Sequence, residues 1–194
     1  MKVLYVYVPG LGDEELLQKQ RVVITAWRSD TRGTLFLESN WNDPDEGYQA
    51  KLQRLVDDIR SHAVQGTHVC LVGTSAGGTL GLNLFNELKA EYQLKFVSIG
   101  GKITGSNSIG PSYAQPHPAL IPSVIASEQI IPQLNQEDKN NILSIRPILD
   151  EVVLPRFMKI PGAHHKTTLT VEHIFSIWWV IKYRPKVIFS FAKS

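Results

Sequence analysis

The 194-residue chain has a single cysteine, Cys70, set among the apolar neighbours of residues 69–72. One thiol excludes an internal disulfide framework and suits a small buried residue in a reducing compartment. Charge of one sign is equally scarce: 20 Lys and Arg stand against 18 Asp and Glu, a net +2. With no Lys/Arg cluster and no zinc-ligand spacing, a nucleic-acid partner is not expected. No apolar run reaches the roughly 20 residues that a membrane-spanning helix needs. The tail at 174–194 is apolar, but Lys182, Arg184, Pro185 and Lys186 break it. The opening MKVLYVYVPG has one Lys and an apolar stretch cut at Pro9-Gly10, too short for a secretory leader with its cleavage site. The expectation is a cytoplasmic protein with no stable membrane span. Repeats and low-complexity tracts are also missing, and 194 residues suit one substantial core, so 1–194 is expected to form one domain.

What the chain does have is alternation. Residues 2–8, 34–38, 68–72, 96–99, 142–149 and 157–160 are apolar or β-branched runs that predict strands. Between them, 14–27 reads as a helix, although Arg21 to Thr25 also suits a strand. Leu52, Leu55, Val56 and Ile59 make one helical face, and Leu80, Leu84 and Leu88 another. A last helix is expected at 171–182. Strands alternating with helices predict an α/β fold, a mostly parallel twisted sheet with helices on both faces. Residues 100–140 interrupt the rhythm with Gly, Ser, Pro and Asn. A connection that long is usually functional and follows a strand's C-terminal end, so a partial lid or substrate wall with short helices is expected there.

The stretch VCLVGTSAGGTLGLNLF, residues 69–85, joins a buried strand to a helix through Gly73-Thr74-Ser75-Ala76-Gly77-Gly78. A G-x-S-x-G turn in that context lifts the serine hydroxyl above the sheet, while the glycines remove the Cβ atoms that would collide. The N–H of Ala76, at the start of the helix, would face an oxyanion forming beside Ser75. A phosphate loop needs Gly-Lys-Ser/Thr, and Gly78-Thr79-Leu80 has no lysine. A second oxyanion donor is expected in VPGLGD, residues 8–13, where Gly10 and Gly12 allow close approach of the Leu11 N–H.

A nucleophilic serine needs a base, and the base needs an orienting carboxylate. Asp138 and Asp150 are the aspartates after Ser75. Asp138 lies in the polar run NQEDKNN, whereas Asp150 ends the apolar ILSIRPIL, where a buried acid at a strand's end belongs. Histidines 164, 165 and 173 follow Asp150. His173 reads as a structural residue in mid-helix. His164 and His165 are expected on a loop after the strand at 157–160.

On VPGLGD, GTSAG, LDEVV and GAHH, the chain resembles the α/β-hydrolase superfamily, in a small, minimal, largely capless form similar to serine esterases. The resemblance implies Ser75 as nucleophile, Asp150 as acid and His165 as base, with His164 the alternative. Leu11 and Ala76 would supply the oxyanion N–H groups. The interval from Asp150 to His165 is shorter than the family usually shows, which leaves Glu151 and Asp138 as other acids. The implied activity is hydrolysis of a carboxylic ester or thioester of small-molecule type through an acyl-enzyme, with no cofactor and no metal. Two readings stand beside it: a non-catalytic binding protein on the same fold, and a membrane-surface lipase using Trp178-Trp179.

Overall fold

The computed structural model describes residues 2–64 and 66–194. Six strands form one sheet: β1 (Val3–Val8), β2 (Arg32–Phe36), β3 (His68–Thr74), β4 (Gln93–Ile99), β5 (Ile142–Pro147) and β6 (His164–Thr168). Their order across the sheet is β2-β1-β3-β4-β5-β6, and every neighbouring pair is parallel. The expected α/β architecture is therefore the observed one. Because side chains alternate along a strand, each central strand feeds two cores. Val6, Val8, Val69 and Leu71 point into one, against α2 (Tyr48–His62), α3 (Gly77–Leu88) and α5 (Leu120–Ile130). Tyr5, Tyr7, Cys70 and Val72 point into the other. There they meet Ile24 and Trp27 at the end of α1 (Glu14–Thr25), and the C-terminal helices. Those are α7 (His173–Trp178), its π-helical continuation Trp179–Tyr183, and α8 (Lys186–Phe191). Burial on both sides is why the strand residues 69–72 form an unbroken apolar run.

Two expectations fail near the C-terminus. Residues 157–160 are not a strand: Pro155–Met158 makes one 3₁₀ turn, and Pro161 follows. The strand lies instead at HHKTT, an edge strand whose residues are almost all exposed. Polar and charged residues suit an unpaired edge, and they conceal it from a search for apolar runs. The last helix also begins later than 171, with Glu172 as its extended N-cap and His173 as its first residue.

Residues 100–140 contain short helices, as expected. After a 3₁₀ turn at Ser106–Ser108 come α4 (Pro111–Ala114), α5, a second 3₁₀ turn and α6 (Gln136–Asn140). The longest, α5, is tied to α3 by buried polar contacts. Thr79 Oγ1 meets Ser127 Oγ at 2.6 Å and donates to the Ser123 carbonyl at 2.7 Å, and Asn83 Nδ2 donates to that carbonyl at 3.0 Å. Trp178 packs on the second core, and Trp179 lies between the rings of Phe175 and Tyr183. Among the described residues no helix is long and apolar enough to cross a membrane.

Candidate active site

Ser75 stands on the turn between β3 and α3 with φ of +51°. Left-handed backbone at a residue with a Cβ is strained, and strain of this kind gathers at functional positions. The turn is fixed from both sides. Ser75 N–H donates to the Ile99 carbonyl at 3.2 Å, and the Ser75 carbonyl accepts from Gly78 at 2.9 Å and Lys102 at 2.9 Å. Gly77 sits so close to β1 that a Cβ would fall 2.1 Å from the Val8 carbonyl oxygen. Gly10 brings the loop after β1 equally near, since a Cβ there would lie 2.6 Å from Ser75 Cβ.

That loop is held by its own partners. Trp41 Nε1 donates to the Pro9 carbonyl at 3.0 Å, joined by Ser39 Oγ at 3.4 Å. Leu11 and Ala76 line a common cavity with Ser75. Among the described residues neither of their N–H groups has an acceptor.

Asp150 lies at the opening of the loop after β5 and is buried. Its Oδ1 accepts the N–H groups of Val152 at 2.9 Å and Val153 at 2.7 Å, which fixes the carboxylate plane. Its Oδ2 then meets Nδ1 of His173 at 2.7 Å, with both side chains almost fully buried. The pairing differs from the sequence expectation: the histidine against Asp150 is His173, 23 residues on, and not His165 or His164. Glu151 takes no acid position. Its carboxylate accepts the backbone N–H of His173 at 3.1 Å and so anchors the start of α7. Asp138 is spent on capping α6 through Asn135 and on Lys89 at 2.8 Å.

The two expected bases lie elsewhere. His165 pairs in register with Ser144, Ser144 with Ser98, and Ser98 with Gly73. Three strand spacings, about 14 Å, therefore separate it laterally from the strand that carries Ser75. Its Nε2–H donates to the Ile160 carbonyl at 3.1 Å. Partial burial holds its pKa below the usual histidine value, with Lys159, Arg146 and His164 adding to this and the Ile160 bond opposing it. His164 packs edge-on to Phe191.

His173 faces Ser75 across a cavity of about 190 Å3 that both line, together with Leu11, Tyr113, Val152 and Ile177. Its Nε2 is buried and has no hydrogen-bond partner. An unpartnered buried ring nitrogen is costly, and its companion Nδ1 is held by a carboxylate. The clue to His173 was Val171-Glu172: an acidic N-cap puts the histidine at a helix start, facing the sheet's C-terminal edge. Among the described residues no three His, Cys, Asp or Glu side chains group as metal ligands.

No protein-family model matches the chain, and no curated protein does. Solved structures do. A hydrolase from Agrobacterium vitis S4, described as putative in its structure report, superposes with a TM-score of 0.66 at 13% identity, over 98% of this chain and 88% of that one. An alpha/beta hydrolase enzyme from the metagenome of lagoon sediments at Mar Chica, Morocco, gives 0.63 at 15% identity, over 100% and 91%. A monoacylglycerol lipase from Paleococcus ferrophilus gives 0.60 at 11% identity, over 98% and 94%.

Proposed function

We propose that this chain, which has the α/β-hydrolase fold, is a serine hydrolase that cleaves a carboxylic ester or thioester through an acyl-enzyme. The observation that carries the reading is His173. Its Nδ1 is tied to the buried Asp150, its Nε2 has no hydrogen-bond partner, and its side chain lines a cavity that Ser75 also lines.

In this reading Ser75 Oγ attacks the acyl carbon while His173 Nε2 takes its proton. Asp150 keeps the remaining ring proton on Nδ1 and stabilises the imidazolium that forms. Val152 and Val153 donate to Asp150 Oδ1, so that its Oδ2 is left for the ring. The carbonyl oxygen gathers charge beside the N–H groups of Leu11 and Ala76, which have no other acceptor among the described residues. His173 then returns the proton to the departing alcohol or thiol, and water cleaves the Ser75 ester by the same steps in reverse. Ser75, Asp150 and His173 follow β3, β5 and β6 at the C-terminal edge of the sheet, where open parallel sheets bind their ligands. The first two lie in connecting segments and the third at the start of α7. Residues 100–140 supply one wall of the site as a partial lid.

A fluorophosphonate probe tests the reading directly. Expected is one adduct, located on Ser75 by mass spectrometry and lost in both Ser75→Ala and His173→Ala. An unlabelled native chain, or an adduct on another residue, overturns it.

A further inference from the structure

A second cavity of about 190 Å3 also reaches Ser75, and it differs chemically from the first. It contains Leu11 and Ala76 but not His173, and Lys102, Ser108 and Ser112 stand in its wall. If His173 is to protonate the leaving group, that group must occupy the cavity His173 lines. The acyl chain then takes the second one. This step rests on the serine-hydrolase reading above.

Lys102 is placed there by the turn itself, since its backbone N–H donates to the Ser75 carbonyl at 2.9 Å. Its half-buried ammonium lies 4.0 Å over the Phe157 ring and donates to Ser108 Oγ at 2.7 Å. Ser108 in turn donates to the Gly105 carbonyl at 2.7 Å, so its hydroxyl is free to accept from the lysine. An ammonium has three N–H donors, and one is used. Among the described residues Lys102 forms no ion pair.

Glu128 is the carboxylate whose charge reaches Lys102, but it is committed elsewhere. It accepts from Gly105 N–H at 2.7 Å, Ser106 N–H at 3.2 Å and the Ser106 hydroxyl at 2.8 Å. Burial outweighs the pull of Glu128, and Arg156 adds repulsion, so the Lys102 pKa lies below the usual lysine value. A partly desolvated cation is costly unless an anion answers it.

The geometry points to an acyl group that carries its own carboxylate: a half-ester or half-thioester of a short dicarboxylic acid, with the Lys102 ammonium and the Ser112 hydroxyl receiving the free end. Shortness follows from volume, because about 190 Å3 is below the roughly 300–1,000 Å3 of sites for drug-sized ligands. The chemistry balances as hydrolysis. The Ser75 Oγ–C bond forms first, the acyl C–O or C–S bond then breaks as the oxyanion collapses, and the alcohol or thiol leaves with the proton from His173. Water then replaces Ser75, giving the dicarboxylate.

The test compares monomethyl glutarate with methyl pentanoate, which replaces the free carboxylate by a methyl group, in a pH-stat. The wild-type protein is expected to favour the half-ester in kcat/KM by about ten- to a hundredfold, the range of a hydrogen bond to a charged group. Lys102→Met is expected to erase that ratio, and Lys102→Arg to restore much of it. If Lys102→Met does not fold, inhibition of the wild-type protein decides: glutarate should compete with methyl pentanoate far better than pentanoate does. Equal handling of the two esters, or a ratio indifferent to Lys102→Met, overturns the proposal while fluorophosphonate labelling of Ser75 keeps the hydrolase reading. A protein that neither labels nor turns over either ester loses both.

Discussion

Ser75, Asp150 and His173 each meet a demand that one substitution isolates. Ser75→Ala removes the oxygen proposed to attack and keeps the Cβ, so the turn carries the same backbone strain as before. Turnover of simple esters should vanish while the thermal midpoint moves by no more than about 2 °C. Asp150→Asn leaves a side chain of the same shape, yet an amide presented to His173 favours the wrong ring tautomer. Losses of about ten-thousand-fold accompany that change in a serine protease, and a fall of similar order in kcat is expected here. The histidines separate more sharply. His173→Ala should abolish turnover, whereas His165→Ala should keep most of it, because the His165 ring is engaged with Ile160 on the edge strand. Kinetics of the two single variants decide, and the opposite pattern would return the base to the His164-His165 doublet.

At the scale of elements, the contact between α3 and β1 sets how tightly the turn can be wound. A Cβ at Gly77 has no flexible side chain to displace, only the Val8 carbonyl at 2.1 Å and the Pro9 carbonyl oxygen at 2.6 Å. Gly77→Ala should therefore cost about 3 kcal/mol, the upper end for overpacking, read from urea unfolding. A change under about 1 kcal/mol would mean that helix and strand can move apart freely. The same elements explain what the sequence reveals. The β3–turn–α3 unit is legible because burial on both faces demands an unbroken apolar run and close crossing demands glycine. The edge strand β6 is illegible by that rule, since its residues answer to solvent rather than to a core. The last helix starts at His173 rather than at 171, because Glu172 caps it, so His173 stands at the helix start and not in its middle. The apolar run at 157–160 forms no strand because it lies between Pro155 and Pro161, its first two residues closing a 3₁₀ turn.

Across the whole molecule, one charge network braces the loop before α2. Lys51 is fully buried, donates to the Asn40 carbonyl at 2.7 Å and pairs with Glu46, which Arg54 grips at 2.6 and 2.9 Å. The same loop brings Trp41 onto Pro9, so the network supports the candidate oxyanion loop from behind. Arg54 first, and then Lys51, pull the Glu46 pKa down from 4.5 to about 2. A depressed carboxylate stabilises the fold fully above its unfolded value and loses that contribution as pH falls through the folded one. The window is therefore about 4.5 down to about 2. The destabilisation caused by Glu46→Gln should be largest near neutral pH and shrink across that window in paired urea titrations. A penalty that stays constant from pH 6 to pH 2.5 would show that the charge of Glu46 contributes nothing.

Cys70 lies on β3, between β1 and β4, with no exposed surface, and burial pushes its thiol pKa up to about 12. Reaction with a thiol reagent requires a thiolate in contact with solvent. The folded protein offers neither condition, and the chain has no second thiol to blur the signal. Slow alkylation by iodoacetamide in native buffer therefore counts the moments when the central sheet parts, one mass increment per molecule. Each variant above then carries a built-in clock for its own unfolding, readable by mass spectrometry without denaturant.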